Sequence, residues 1–239
     1  MGRGGRSSGQ EPRAQRTAQE NGSGGNFSEL ANRLNGYGIV MAASDFETAG
    51  LNYDTVASGV DGITQVMDDF PILRGLITTL KYDGNMDAVA YAQYNPSMNG
   101  VTLAMCSDFR LMPALFNSMM SRGTFHPANQ TAASTMAHEV GHALETALCT
   151  KKYSDSWDAY QARRNGTEAN RILAEAMRVV NRASGVSKSL SELRGSVSQY
   201  ATHNVHETIA ECFGDVFANG ANANPFSRAV YDIMRRELS

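Results

Sequence analysis

The run Met136-Ala137-His138-Glu139-Val140-Gly141-His142-Ala143-Leu144-Glu145 constrains this chain more than any other, because it sets two imidazoles four residues apart with a carboxylate directly after the first. On a helix that spacing turns through about 400°, so His138 and His142 stand one above the other on one face and can grip a single ion. Glu139 lies about 100° round, able to reach a water on that ion without being a ligand. Residues 131–148 contain no proline and are rich in Ala, Met, Leu and Thr, which predicts a helix there with Asn129 as its N-cap. The plain alternative is an amphipathic helix with two histidines near the core.

A pair of ligands is not yet a site. Zinc in catalytic proteins usually takes three protein ligands and keeps one position for water. Glu145 shares the face of His138 but stands seven residues on, about 10.5 Å of helix, too far to join it on one ion. It reads instead as a salt-bridging group or as one that supports a ligand. His126, before Pro127, can approach the site from a loop, whereas His203 and His206 read as exposed loop histidines, with a role in facing substrate as the alternative.

The composition fits this reading. A chain of 239 residues, 42% of them hydrophobic, can bury a full core and suits one large domain with a tail. Its formal net charge of −3 makes no case for nucleic acid as a partner. Cys106, Cys149 and Cys212 are too few and too scattered for a disulfide framework and read as small buried residues of a reduced compartment. No apolar run is long enough for a membrane span, and the N-terminus lacks the apolar run of a secretion signal, so the expected place is a cytoplasm or, if the chain is phage-encoded, a virion. Residues 1–25 hold seven glycines, three serines and four arginines, a composition that predicts a disordered tail or linker ahead of a globular domain over 26–239. The arginines of this tail suit a solubilising or attachment segment, with contact to a phosphate backbone or an acidic partner as the alternative.

Within the domain, Phe27, Leu30 and Leu34 predict a short helix. Val56, Val60, Ile63 and Met67 predict another, capped by Asp54 and stopped at Phe70-Pro71. Residues 72–81 are apolar without a period that separates helix from strand. Ala88 to Tyr94 and Val101 to Cys106, joined by the turn-rich Asn95 to Gly100, predict an antiparallel hairpin just upstream of the histidine helix. An edge strand there can bind an extended peptide by adding it to the sheet, or can be purely structural. A short helix within 109–127 and two more over 153–163 and 167–183 follow, and 184–198 reads as a polar, glycine-containing stretch.

The last block begins at Tyr200. Asn204 is a good N-cap, Ile209, Phe213, Val216 and Phe217 form a core face, and Asn219-Gly220 ends the helix. Glu207, Glu211 and Asp215 fall at i, i+4 and i+8 on the other face, where three acids repel unless they are solvated or a cation compensates them. Asp215 orients a ligand or faces solvent.

A His138-Glu139-x-x-His142 helix followed by a second helix reading Glu207-x-x-Ala210-Glu211-x-Phe213 resembles the gluzincin metallopeptidases, in the branch that includes the anthrax lethal factor catalytic domain. It is also similar to the metallopeptidase-like domains attached to phage minor head proteins. The likeness covers about residues 87 to 220, with a stretch between His142 and Glu207 that is long for the group. It implies a Zn2+ ion held by His138, His142 and Glu207, with Glu211 holding a ligating histidine, Glu139 as the general base and Tyr200, seven residues before Glu207, stabilising the oxyanion. The implied fold is α+β: a zincin-like single domain with a small antiparallel or mixed sheet, an active-site helix and a mostly helical C-terminal half. The implied activity is zinc-dependent hydrolysis of a peptide or protein substrate. The alternative is a virion protein in which the domain is a structural module beside phage capsid or portal proteins.

Overall fold

The structure, a computed structural model, describes residues 25–122 and 124–239; apart from Gly25, the tail expected over 1–25 lies outside them. Helix α1 (Phe27–Asn35), strand β1 (Val40–Met41), helices α2 (Ala43–Thr48) and α3 (Tyr53–Asp69), and strands β2 (Ile77–Tyr82), β3 (Ala90–Tyr94) and β4 (Val101–Met105) form the first half. Helices α4 (Pro113–Met120), α5 (Ala132–Lys152), α6 (Ser156–Arg164), α7 (Thr167–Ser184), α8 (Leu190–Val197), α9 (Val205–Asn219) and α10 (Pro225–Leu238) form the second. The architecture is therefore α+β, with a small mixed sheet and a mostly helical C-terminal half.

The sheet order is β1-β2-β4-β3, parallel between β1 and β2 and between β2 and β4, antiparallel between β3 and β4. The expected hairpin is β3 and β4, with Ala90 opposite Met105 and Tyr94 opposite Val101, and β3 forms the outer edge. The ambiguous apolar stretch divides at its glycine. Pro71–Leu73 forms a 3-10 turn, Gly75 takes a φ of +82°, and Ile77 opens β2.

Two caps differ from expectation. Helix α3 is capped by Asn52, whose side chain accepts from the Thr55 amide at 3.0 Å, two residues before Asp54, which lies inside the first turn. Helix α5 is capped by Thr131 in a capping box with Ser134, while Asn129 takes a left-handed φ of +60° and donates to the Asn219 side chain. The stretch 184–198, read as irregular, contains α8, capped by Ser189 and Glu192 and burying Leu193 and Val197.

Helix α5 is the axis of the domain. Sixteen of its twenty-one residues are buried, so it cannot be a surface helix with one wet face. It packs on α3 and on α9 through glycines: a Cβ on Gly62 of α3 would stand 2.0 Å from the Ala133 carbonyl oxygen, and one on Gly141 would stand 3.0 Å from the Ala210 Cα. The close crossing of α5 and α9 sets the His138–His142 face against Glu207. No helix among the described residues is long and apolar enough to cross a membrane.

Candidate metal centre

His138, His142 and Glu207 converge, each offering one ligand atom within 4.8 Å of the others. The carboxylate Oε2 of Glu207 lies 3.3 Å from His138 Nε2 and 3.5 Å from His142 Nε2. That oxygen is buried and has no hydrogen-bond partner among the described residues, although two imidazole nitrogens face it. A buried carboxylate oxygen left unpaired is costly, and three donor atoms converging without hydrogen-bond geometry fit a cation placed between them. The cluster can hold a metal ion.

Glu211 sits behind the ligands and is saturated. Its Oε1 meets His138 Nδ1 at 2.9 Å and His126 Nδ1 at 3.1 Å, and its Oε2 accepts from Ser198 Oγ at 2.7 Å. The Ser198 oxygen accepts in turn from the Ala201 amide. With its Nδ1 proton donated to Glu211, the His138 ring leaves the Nε2 lone pair turned towards Glu207 and any ion there. Burial opposes the Glu211 charge, yet the contacts with His126 and His138 outweigh it and hold the carboxyl down at about 2. Glu207 is held far below the usual carboxylate range for the same reason, with burial overcome by its two histidines. Burial likewise works against a charged His138, but Glu207 and Glu211 lift its pKa well above 6.5.

Glu139 is buried beside the ligands, and its carboxyl is raised above 4.5 chiefly by burial. It borders a cavity of about 280 Å³ together with His138, Tyr200, Phe125, Met120 and Val89. Tyr200 lies in a 3-10 turn, Tyr200–Thr202, tied down where its amide donates to the Phe125 carbonyl at 2.8 Å. Its ring lies over His138, centroids 6.1 Å apart and planes within 25°. Burial first, and then the nearby Glu207, Glu139 and Glu211, push its hydroxyl to about 12, so it stays a protonated donor facing the cavity.

The remaining candidates divide. His126 reaches the centre through Glu211. His203 is exposed as expected, its ring edge-on to Phe125 and tilted against Tyr200. His206 is a correction: it is not a loop histidine but sits half-buried in the first turn of α9, with its Nδ1 2.8 Å from Glu145. Glu145 is buried and also paired to Arg163 at 3.2 Å, which makes it the salt-bridging group its distance from His138 implied. Asp215 neither orients a ligand nor faces solvent. It accepts from the Asn219 side chain and from the Asn224 amide, fastening the start of α10 to α9. Ser198 and Arg163 carried no signal in the sequence, since their roles depend on which helices meet.

No family model, curated protein or solved structure matches the chain.

Proposed function

We propose that this chain is a zinc-dependent endopeptidase. The observation that carries the reading is the pairing of an ion-sized cluster of His138, His142 and Glu207 with an unengaged acid, Glu139, one position along the same helix and open to a cavity. Two imidazoles and one carboxylate are a donor set typical of catalytic zinc, with a coordination position left for water. When bound, zinc would lower the pKa of its water towards about 7 and polarise the substrate carbonyl.

The protein groups supply the rest. Glu139 takes the proton of the attacking water and hands it to the leaving nitrogen; its raised pKa brings it nearer to the range in which both transfers are easy. Tyr200, kept protonated, donates to the oxyanion as it forms, a contact of a kind worth about 3 kcal/mol. Glu211 and Ser198 hold His138 in the tautomer that presents Nε2. The free outer edge of β3 offers amides and carbonyls to an extended peptide. A site that serves only to stabilise a virion module needs ligands, but neither a base nor an oxyanion donor.

The test is zinc content measured beside peptide turnover. Glu139→Gln should keep its zinc and lose turnover by about 10² to 10⁴-fold, whereas His142→Ala should lose both. A Glu139→Gln protein as active as wild type would overturn the assignment.

A further inference from the structure

A second cavity, of about 360 Å³, opens on the other side of the ligand set. His142 and Glu207 line it, and Arg163, Arg164, His206 and Tyr94 are among the other residues of its lining. The two cavities differ in charge. The first is lined by the carboxylates Asp87, Glu139 and Glu211 beside His126 and His138, with no Lys or Arg in its lining. In the second, Arg163 is planted by buried Glu145 on one side and by the Tyr94 ring, 5.1 Å from its guanidinium carbon, on the other. Although Arg163 is buried, its Nε donor has no hydrogen-bond partner among the described residues. Arg164 beside it is exposed and makes no ion pair among the described residues. Glu145 and Glu207 together balance the two guanidinium charges, and a divalent ion at the ligand set would leave the wall cationic.

Strand β3 runs past both cavities. Ala90 borders the first, and Ala92 and Tyr94 the second, three residues on one face of the strand. An extended peptide laid along that edge advances about 6.8 Å for each two residues, so its side chains enter one cavity before the ligand set and the other after it. We propose that the second cavity reads a carboxylate of the substrate, carried by an acidic side chain or by a free C-terminus, within about two residues of the bond cleaved. This rests on the peptidase reading above. Arg164 supplies the long-range attraction, and Arg163, held by Glu145 and His206, a rigidly placed guanidinium in the wall.

Zinc-loaded Glu139→Gln protein lets binding be read without turnover, by fluorescence anisotropy with labelled peptides. Peptides differing only as Glu or Gln at each of three positions on either side of the bond, and as free acid or amide at the C-terminus, separate the two sources of the carboxylate. A side-chain pocket gives roughly tenfold tighter binding of the Glu peptide at one position; a terminus pocket gives the same preference for the free acid. Either preference should collapse in the additional variant Arg164→Glu, a surface change that leaves the fold intact, and should shrink at high salt. Equal binding of every pair, or no binding of any peptide, overturns the pocket. Turnover of the same peptides by wild type is scored separately: a carboxylate preference without cleavage keeps the pocket and removes the peptidase reading.

Discussion

At the scale of single residues, Glu207 and Glu211 show how two carboxylates one helical turn apart acquire opposite tasks. Glu211 has every oxygen engaged by His138, His126 and Ser198, whereas Glu207 keeps one oxygen buried and unpaired beside two imidazoles. The first fixes the His138 ring and the second belongs to a cluster that can hold a cation. In metal-free protein the same contacts make stability depend on pH. His138 has its pKa raised in the folded state, so its contribution is full below the unfolded value of 6.5 and is lost as pH climbs through the raised folded value. Glu211 has its pKa lowered to about 2, so its contribution is full above the unfolded 4.5 and is lost as pH falls below that value. Thermal unfolding of chelated protein should therefore show greatest stability from this cluster between about pH 4.5 and 6.5. Zinc competes with the imidazole proton, so the zinc-saturated protein should reach its maximum at higher pH. Superimposable pH profiles with and without zinc would contradict the cluster as a metal site.

At the scale of elements, the approach of α3 to α5 rests on a missing side chain. Alanine in place of glycine normally steadies a helix interior by about 1 kcal/mol. At Gly62 the added Cβ would meet the Ala133 carbonyl oxygen at 2.0 Å, a backbone atom that cannot turn aside, so overpacking should outweigh the propensity gain. Gly62→Ala is expected to destabilise by about 2 kcal/mol net in denaturant unfolding. Gly195→Ala on α8, exposed and with its nearest neighbour at an ordinary 3.9 Å, is expected to stabilise by about 0.5 to 1 kcal/mol. Two changes of the same sign would remove the close-packing account. The elements legible in the sequence were those whose signals are local and concentrated. Helices α5 and α9 carry their apolar periods and their ligands within twenty residues, and the hairpin carries its alternation and its turn. Helix α8 was hidden by serines and Gly195 around the spaced Leu193 and Val197, although the Ser189 and Glu192 box was readable. The strand pairings of β1 with β2 and β2 with β4 join segments distant in sequence, and no local pattern encodes such a partner.

At the scale of the whole molecule, the ligand set bridges the two helices that carry the core, with α6, α7 and α8 threaded between them in the chain. The Glu145, Arg163 and His206 contacts tie α5, α6 and α9 together beside the ligands, and Asp215 ties α9 to α10. What the sequence showed here was the pair of helices; what it withheld was the way α6 brings Arg163 under Tyr94, because that depends on where the intervening helices fold back. An ion gripped by both α5 and α9 binds the folded chain and not the open one, so it must stabilise the fold by mass action. Free zinc at one hundred times its dissociation constant adds about 2.7 kcal/mol. For a domain of this size each kcal/mol moves the unfolding midpoint by about 2 to 4 °C, so a scan with zinc should lie roughly 5 to 10 °C above the scan with chelator. In His142→Ala the two scans should draw together, because one ligand is gone while the helix packing remains. A wild-type midpoint that ignores zinc would mean that α5 and α9 meet without an ion between them.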